Sequence, residues 1–326
     1  MAAPPTDSGG ESTLTVVVAF AANALIAAAK TVAAVITGSA SMVAEAMHSW
    51  ADTGNEILLL VANRRARKSP DDAHPLGFGR EAYIWSLFAA LGLFAVGAGV
   101  SITHGIQELA HPQPAGDFGV AYTVLGIAFV LEAISFRQAF KQLRGEAHDA
   151  HRDILEHALL TSDPTVRAVF AEDAAALVGL VIAFTGILAH QLTGSPVPDA
   201  IGSIAVGVLL GVIAIVLLDR NRRFLVGEPG TPELRAQAIR QLLTYDEVER
   251  VTYLRLEFLG PHQLYLVASI DLVGDHAESR VAHTLRALED RLTTDSAVVR
   301  DVVLTLSTPE EPSLTVRSPS RARGDE

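Results

Sequence analysis

Polar residues recur at steps of three and four along one otherwise apolar segment, residues 41–62. They are Glu45, His48, Asp52 and Asn55, with Glu56 just beside them. Side chains at these steps share one face of a helix. His48 and Asp52, four residues apart, therefore bring an imidazole and a carboxylate to one point, which supplies two of the four ligands of a tetrahedral divalent-cation site.

A second apolar segment, residues 168–190, carries the adjacent acids Glu172 and Asp173. Neighbouring residues on a helix point about 100° apart, so only one of them faces a given cavity directly. If Asp173 faces His48 and Asp52, the site has three ligands. Glu172 is then a fourth ligand, an acceptor for the His48 ring N–H, or an ion-pair partner for another helix.

Three further charged residues lie in apolar segments: Lys30, Glu132 and Asp199. A charge is costly in hydrocarbon, so it faces the protein interior or reaches the interface. We expect Lys30 to pair with an acid such as Glu45 or Glu132, or to extend its amine to the membrane surface. Asp199, directly after Pro198, is expected to cap the N-terminus of its own helix.

The composition explains which elements position these groups. The chain has 49% hydrophobic and 19% charged residues and no cysteine, and its mean hydropathy is +0.31. These values predict a membrane part joined to a polar part, and they exclude thiolate metal sites and cysteine nucleophiles. Six apolar runs approach the roughly 20 residues that cross a bilayer. They are residues 14–36, 41–62, 82–104, 118–136, 168–190 and 198–218.

Basic residues are unevenly distributed between these runs. Thirteen Lys and Arg lie between residues 37 and 227, all of them in the connections after the second, fourth and sixth runs, and the alternate connections have none. The positive-inside rule therefore places both termini in the cytoplasm. The formal net charge of -12 argues against nucleic acid as a partner.

The remaining sequence predicts four parts. Residues 1–13 and 309–326 are expected to be disordered tails, and residues 14–227 a six-helix transmembrane bundle. Residues 228–308 contain a helical stretch, two alternating runs separated by Gly260-Pro261, a second helical stretch and an apolar strand. The periods of these runs predict a small α+β domain of order αββαβ, with two helices on one face of a ferredoxin-like sheet.

Several motifs together resemble the cation diffusion facilitator family. These are GSASMVAEAMHSWADTGNEILLL, HPLGFGREAYIWSL from His74, HPQP at 111–114, DPTVRAVFAEDAAALVG at 163–179 and PDAIGSIAVGVLLG at 198–211. The likeness covers residues 14–307 and is nearest to the branch that includes zinc transporter nine. It implies a proton-coupled exporter of zinc or a related cation that works as a homodimer through its cytoplasmic domain.

The resemblance also implies a ligand set. In this family two residues of span two and two of span five hold the ion. His48, Asp52 and Asp173 match the pattern, but the fourth position is Val169, which cannot coordinate a metal, and Glu172 is the candidate replacement. Glu45, Asn55 and Glu132 are candidates for accessory groups or a proton pathway. No bound cofactor is expected, and a bacterial plasma membrane is the predicted location.

The sequence alone does not determine which metal is bound or which class of transport takes place. One imidazole with two or three carboxylates is intermediate between sites for zinc, cobalt or nickel and sites for manganese or magnesium. Alternatives are an exporter of manganese, cobalt or iron, a passive cation channel and a metal sensor. An intramembrane hydrolase would need a motif such as HExxH, which the sequence lacks.

Overall fold

The computed structural model describes residues 13–112, 116–149 and 152–314. The predicted tail up to residue 12, part of the HPQP motif and residues 315–326 lie outside this range. The helices are α1 Thr13–Thr37, α2 Ala40–Ala66, α3 Glu81–Gly92, α4 Ser101–Ala110, α5 Phe118–Asp149, α6 Ile154–Leu160, α7 Pro164–Thr193, α8 Val197–Val226, α9 Pro232–Leu242 and α10 Glu278–Asp295. The strands are β1 Val248–Gly260, β2 Gln263–Leu272 and β3 Val299–Leu306, and a π-helical segment, Leu93–Val100, joins α3 to α4.

Contacts divide the chain into two compact units, Met1–Lys68 with Arg80–Leu225 and Ser69–Gly79 with Val226–Glu326. In the described part of the first unit, five helical stretches are long and apolar enough to cross a membrane. They are Phe20–Thr37, Glu81–Ala110, Phe118–His148, Pro164–Thr193 and Val197–Val226. The helix α2, which covers the predicted second span, is long enough but is not among them, because acids interrupt its apolar surface.

The helix α2 is surrounded by the other helices of the first unit. It packs against α1, α3, the π-helical segment, α4 and α7. Alanines line its buried surface, including Ala44, Ala51 and Ala62, and these small side chains let the neighbouring helices approach closely. The polar stripe of α2 is therefore enclosed by protein, where buried ionisable groups find partners.

Asp199 holds the N-terminus of α2, although it belongs to α8. Its Oδ1 accepts hydrogen bonds from Ser39 Oγ at 3.0 Å and Ser41 N at 3.2 Å, and its Oδ2 accepts one from Ala40 N at 2.9 Å. The expectation that Asp199 caps its own helix was wrong. The free N–H groups and positive dipole of a neighbouring helix end attract a buried carboxylate just as strongly.

Asp199→Asn is expected to destabilise the membrane unit by about 1–3 kcal/mol, because a charged acceptor for a helix end is lost from a buried site. Denaturant unfolding in detergent measures this loss. Asp219→Asn on the same helix is the control, since Asp219 pairs with Arg222 and Arg223 on an exposed surface and such pairs contribute little. An equal loss in both variants would contradict the capping role.

The second unit contains a three-stranded sheet of order β1-β2-β3, in which β1 and β2 are antiparallel and β2 and β3 are parallel. Alternate residues of β2, including Leu266, Ala268 and Ile270, are buried in a core with residues of α9 and α10 such as Leu242 and Leu288. The predicted order αββαβ is confirmed. Period-two burial along the strands is the reason why the sequence could predict it.

The segment Ser69–Gly79 belongs to this second unit, which the sequence did not predict. An added Cβ at Gly79 would lie 2.6 Å from Leu259 O, so glycine is needed for the segment to reach the β1–β2 turn. Within the segment, the side chain and backbone N–H of His74 hydrogen-bond the carboxylate of Asp71 and lower its pKa. These bonds fix the turn that presents both side chains to solvent.

Residues after β3 also pack on the sheet. Leu314 N donates to Val251 O at 2.7 Å, and Arg250 Nη1 donates to Glu311 O at 2.6 Å. The predicted disordered tail from residue 309 therefore begins too early. Its Pro and charge content suggested disorder, but an apolar side chain and backbone carbonyls at these positions are bound by the domain.

Candidate metal site

His48 and Asp52 lie together on the buried face of α2, as their spacing predicts. His48 Nε2 is 3.4 Å from Asp52 Oδ2, and the two side chains are 1% and 21% exposed. Among the described residues, neither ring nitrogen of His48 has a hydrogen-bond partner, and Asp52 Oδ1 has none either. Buried polar atoms are normally satisfied, so this pair offers unused metal ligands.

Glu172 is the acid of α7 that contacts the α2 stripe. Asn55 Nδ2 donates a hydrogen bond of 2.7 Å to Glu172 Oε1, and both residues are buried. The carboxylate of Glu172 is thereby tied to the helix that carries His48 and Asp52.

Asp173 is held on the α5 side of α7. Ser135 Oγ of α5 donates a hydrogen bond of 2.8 Å to Asp173 Oδ2. The adjacent acids thus bind two different helices, which follows from the angle between neighbouring helical residues. Glu132 lies half-buried on α5, three residues before Ser135, and so on the same face of that helix.

Ser135→Ala is expected to tighten zinc binding severalfold if Asp173 is a ligand, because the serine hydrogen bond competes with the metal for this carboxylate. Titration of the purified protein with zinc against a chelating dye measures the change. Thr123→Ala on the same helix is a control, since the hydroxyl of Thr123 donates to the backbone oxygen of Gly119 in its own helix. Unchanged affinity in Ser135→Ala would contradict a competition for Asp173.

The predicted ligand set is not assembled at one point in this conformation. Among the described residues, no three His, Asp or Glu side chains lie close enough to hold a metal ion together. The fourth position of the resemblance is Val169, which cannot coordinate a metal and is 36% exposed. A site with His48, Asp52, Asp173 and Glu172 stays a prediction.

Glu45 does pair with Lys30, one of the alternatives expected from the sequence. Lys30 Nζ is 3.0 Å from Glu45 Oε2, and both side chains are fully buried. At the other end of the stripe, Asn23 of α1 donates a hydrogen bond to Glu56. Polar partners on α1 and α7 therefore lie at both ends of the α2 stripe, on either side of His48 and Asp52.

Two residues of this arrangement were missed at the sequence level, Asn23 and Ser135. Each is a polar residue in an apolar run, and Ser135 follows Glu132 by three residues, so it shares its helical face. This spacing could have marked Ser135 as part of a polar face. A serine in a helix alone does not indicate a site, because serine side chains commonly bond the backbone of their own helix.

The membrane unit of the chain matches a known protein family. The profile of the cation efflux transmembrane domain matches residues 16–226. Metal tolerance protein C4 of Arabidopsis thaliana is 35% identical over 233 residues, 72% of this chain and 51% of that protein. The human mitochondrial protein named proton-coupled zinc antiporter SLC30A9 is 35% identical over 260 residues, 79% of this chain and 46% of that protein.

A more distant relative is named for a different metal. The manganese efflux system protein MneP of Bacillus subtilis is 23% identical over 265 residues, 79% of this chain and 82% of that protein. The chain spans about half the length of Metal tolerance protein C4 and of the human SLC30A9 protein.

Proposed function

This chain belongs to the cation efflux family, whose members are transporters and not enzymes, and we propose that it exports zinc from the cytoplasm in exchange for protons. The observation that carries the proposal is the buried His48–Asp52 pair with open ligand atoms, facing a helix with two carboxylates. The relatives named as zinc antiporters support zinc as the cargo.

The ligand chemistry itself couples metal to protons. Imidazole and carboxylate bind a metal only when deprotonated, so metal binding releases protons and protonation releases metal. A site that faces an acidic exterior takes up protons and gives up its ion, and a site that faces the cytoplasm does the reverse. We propose His48 and the carboxylates of the site as the proton carriers, because each of these ligands must lose its proton before it binds the metal.

Alternating access would complete the ligand set. We infer that α2 and α7 move relative to each other between two states, and that Asp173 leaves Ser135 to join His48 and Asp52 around the ion. Glu172, bonded to Asn55, supplies a second carboxylate from the same helix turn. Glu45, Asn55 and Glu132 remain proposed accessory groups on the proton path.

The proposal includes the membrane arrangement. Six helices cross the bilayer, with α2 as the polar span inside the bundle, and both termini lie in the cytoplasm by the distribution of basic residues. The domain after α8 is a ferredoxin-like cytoplasmic domain through which two copies associate. A bacterial plasma membrane is proposed as its location, whereas the names of several relatives place those proteins in mitochondria.

A manganese exporter is the second candidate. In the proposed site, carboxylates outnumber the single imidazole of His48, and oxygen ligands suit manganese. The name of the Bacillus subtilis relative is consistent with this alternative.

A metal panel in proteoliposomes tests the proposed function. The purified chain is reconstituted and the uptake of zinc, manganese, cobalt and iron is followed at two external pH values. We expect zinc to give the fastest uptake and its rate to change with the pH gradient. A preference for manganese would select the second candidate, and uptake of any ion independent of the gradient would indicate a passive channel.

A further inference from the structure

A buried lysine on α1 lies beside the proposed metal site. Lys30 forms an ion pair with Glu45, and neither side chain is exposed. Glu45 precedes His48 by three residues, so the pair sits on the same face of α2, one turn nearer to its N-terminus. His48 and Asp52 lie on the two following turns of the same face of α2.

The carboxylate of Glu45 uses only one of its oxygens for this pair. Oε1 is buried and, among the described residues, has no hydrogen-bond partner. It faces Gly179 of α7, where an added Cβ would lie 2.7 Å away. A buried ion pair that served only stability would be expected to satisfy both oxygens, because an unmade bond to a buried charge is costly.

We propose that Lys30 is a tethered cation that competes with the transported metal for the carboxylates of the site. This inference rests on the proposed export function. A divalent ion at His48 and Asp52 adds two positive charges near the buried ammonium of Lys30 in a poorly screened interior, so Lys30 weakens metal binding. Its flexible four-carbon stem lets the amine follow the carboxylates when the metal leaves. Lys30 thus keeps the affinity of the site for the metal low enough for the ion to be released.

Opposite shifts in zinc affinity test this role. Zinc binding to the full-length protein in detergent is measured by competition with a chelating dye. Lys30→Met removes the competing charge and is expected to tighten binding about tenfold, whereas Glu45→Gln leaves the ammonium unopposed and is expected to weaken binding about tenfold. A purely structural pair predicts changes in the same direction for both variants, which would overturn the proposal.

Controls separate this proposal from the proposed function. Lys141→Met, at an exposed position of α5, should leave zinc affinity unchanged. If Asp52→Asn binds zinc like the wild type, the proposed site itself is wrong. If Asp52→Asn loses binding while Lys30→Met equals the wild type, only the role of Lys30 is overturned.

A double variant keeps the test decisive if Lys30→Met fails to fold. The change Lys30→Met/Glu45→Gln removes both buried charges and leaves side chains of similar volume. It is expected to bind zinc more tightly than Glu45→Gln alone, because the competing ammonium is gone. Equal affinity in these two proteins would overturn the proposal.

Discussion

Asp52→Asn is expected to reduce zinc transport by at least about a hundredfold. The change keeps the size of the side chain but removes the negative charge that faces His48 at 3.4 Å. Loss of a group that only orients a ligand costs about ten- to a hundredfold in metal affinity, so loss of a ligand should cost at least as much. Zinc uptake into proteoliposomes with an imposed pH gradient measures the effect.

Asp117→Asn is the matched control for this experiment. Asp117 is an exposed aspartate just before α5, so its charge is not part of the buried stripe. Transport by this variant should equal that of the wild type. Unchanged transport by Asp52→Asn, with the same amount of folded protein in the vesicles, would refute the assignment of Asp52 as a ligand.

His48→Asp is expected to change which metal is carried. Replacing the only imidazole of the stripe by a carboxylate leaves an all-oxygen site, which suits manganese better than zinc. We expect the ratio of zinc to manganese transport to fall about tenfold, measured by uptake of each ion at the same concentration and pH.

His111→Asp provides the comparison, because His111 is exposed and lies beyond the end of α4. It should keep the wild-type metal preference. An unchanged zinc to manganese ratio in His48→Asp would show that His48 does not touch the ion.

Local patterns were sufficient to predict much of the fold. The alternating run 263–273 predicted a strand, and β2 is Gln263–Leu272. The spacing of four predicted that His48 and Asp52 meet, and they do. Both inferences depend on the fixed geometry of one helix or one strand, which is set by residues close in sequence.

Relations between helices could not be predicted in the same way. The sequence favoured Asp173 as the acid that faces α2, but in the structure Glu172 bonds Asn55 and Asp173 bonds Ser135. The spacing of two adjacent acids fixes the angle between them, not the rotation of α7 about its axis. That rotation is set by packing against α2 and α5. Asp199 is a similar case, since its partner is the start of another helix.

Movement of zinc against its own gradient tests the central claim most directly. Vesicles that contain the chain are prepared with equal zinc on both sides, and only a pH gradient is imposed, acidic inside. Proton-coupled antiport through the site of His48 and Asp52 predicts that zinc accumulates in the acidic lumen and that an ionophore which collapses the pH gradient abolishes the accumulation. Zinc that stays equal on both sides, in vesicles that let zinc pass down a concentration gradient, would contradict coupled export and indicate a passive pathway.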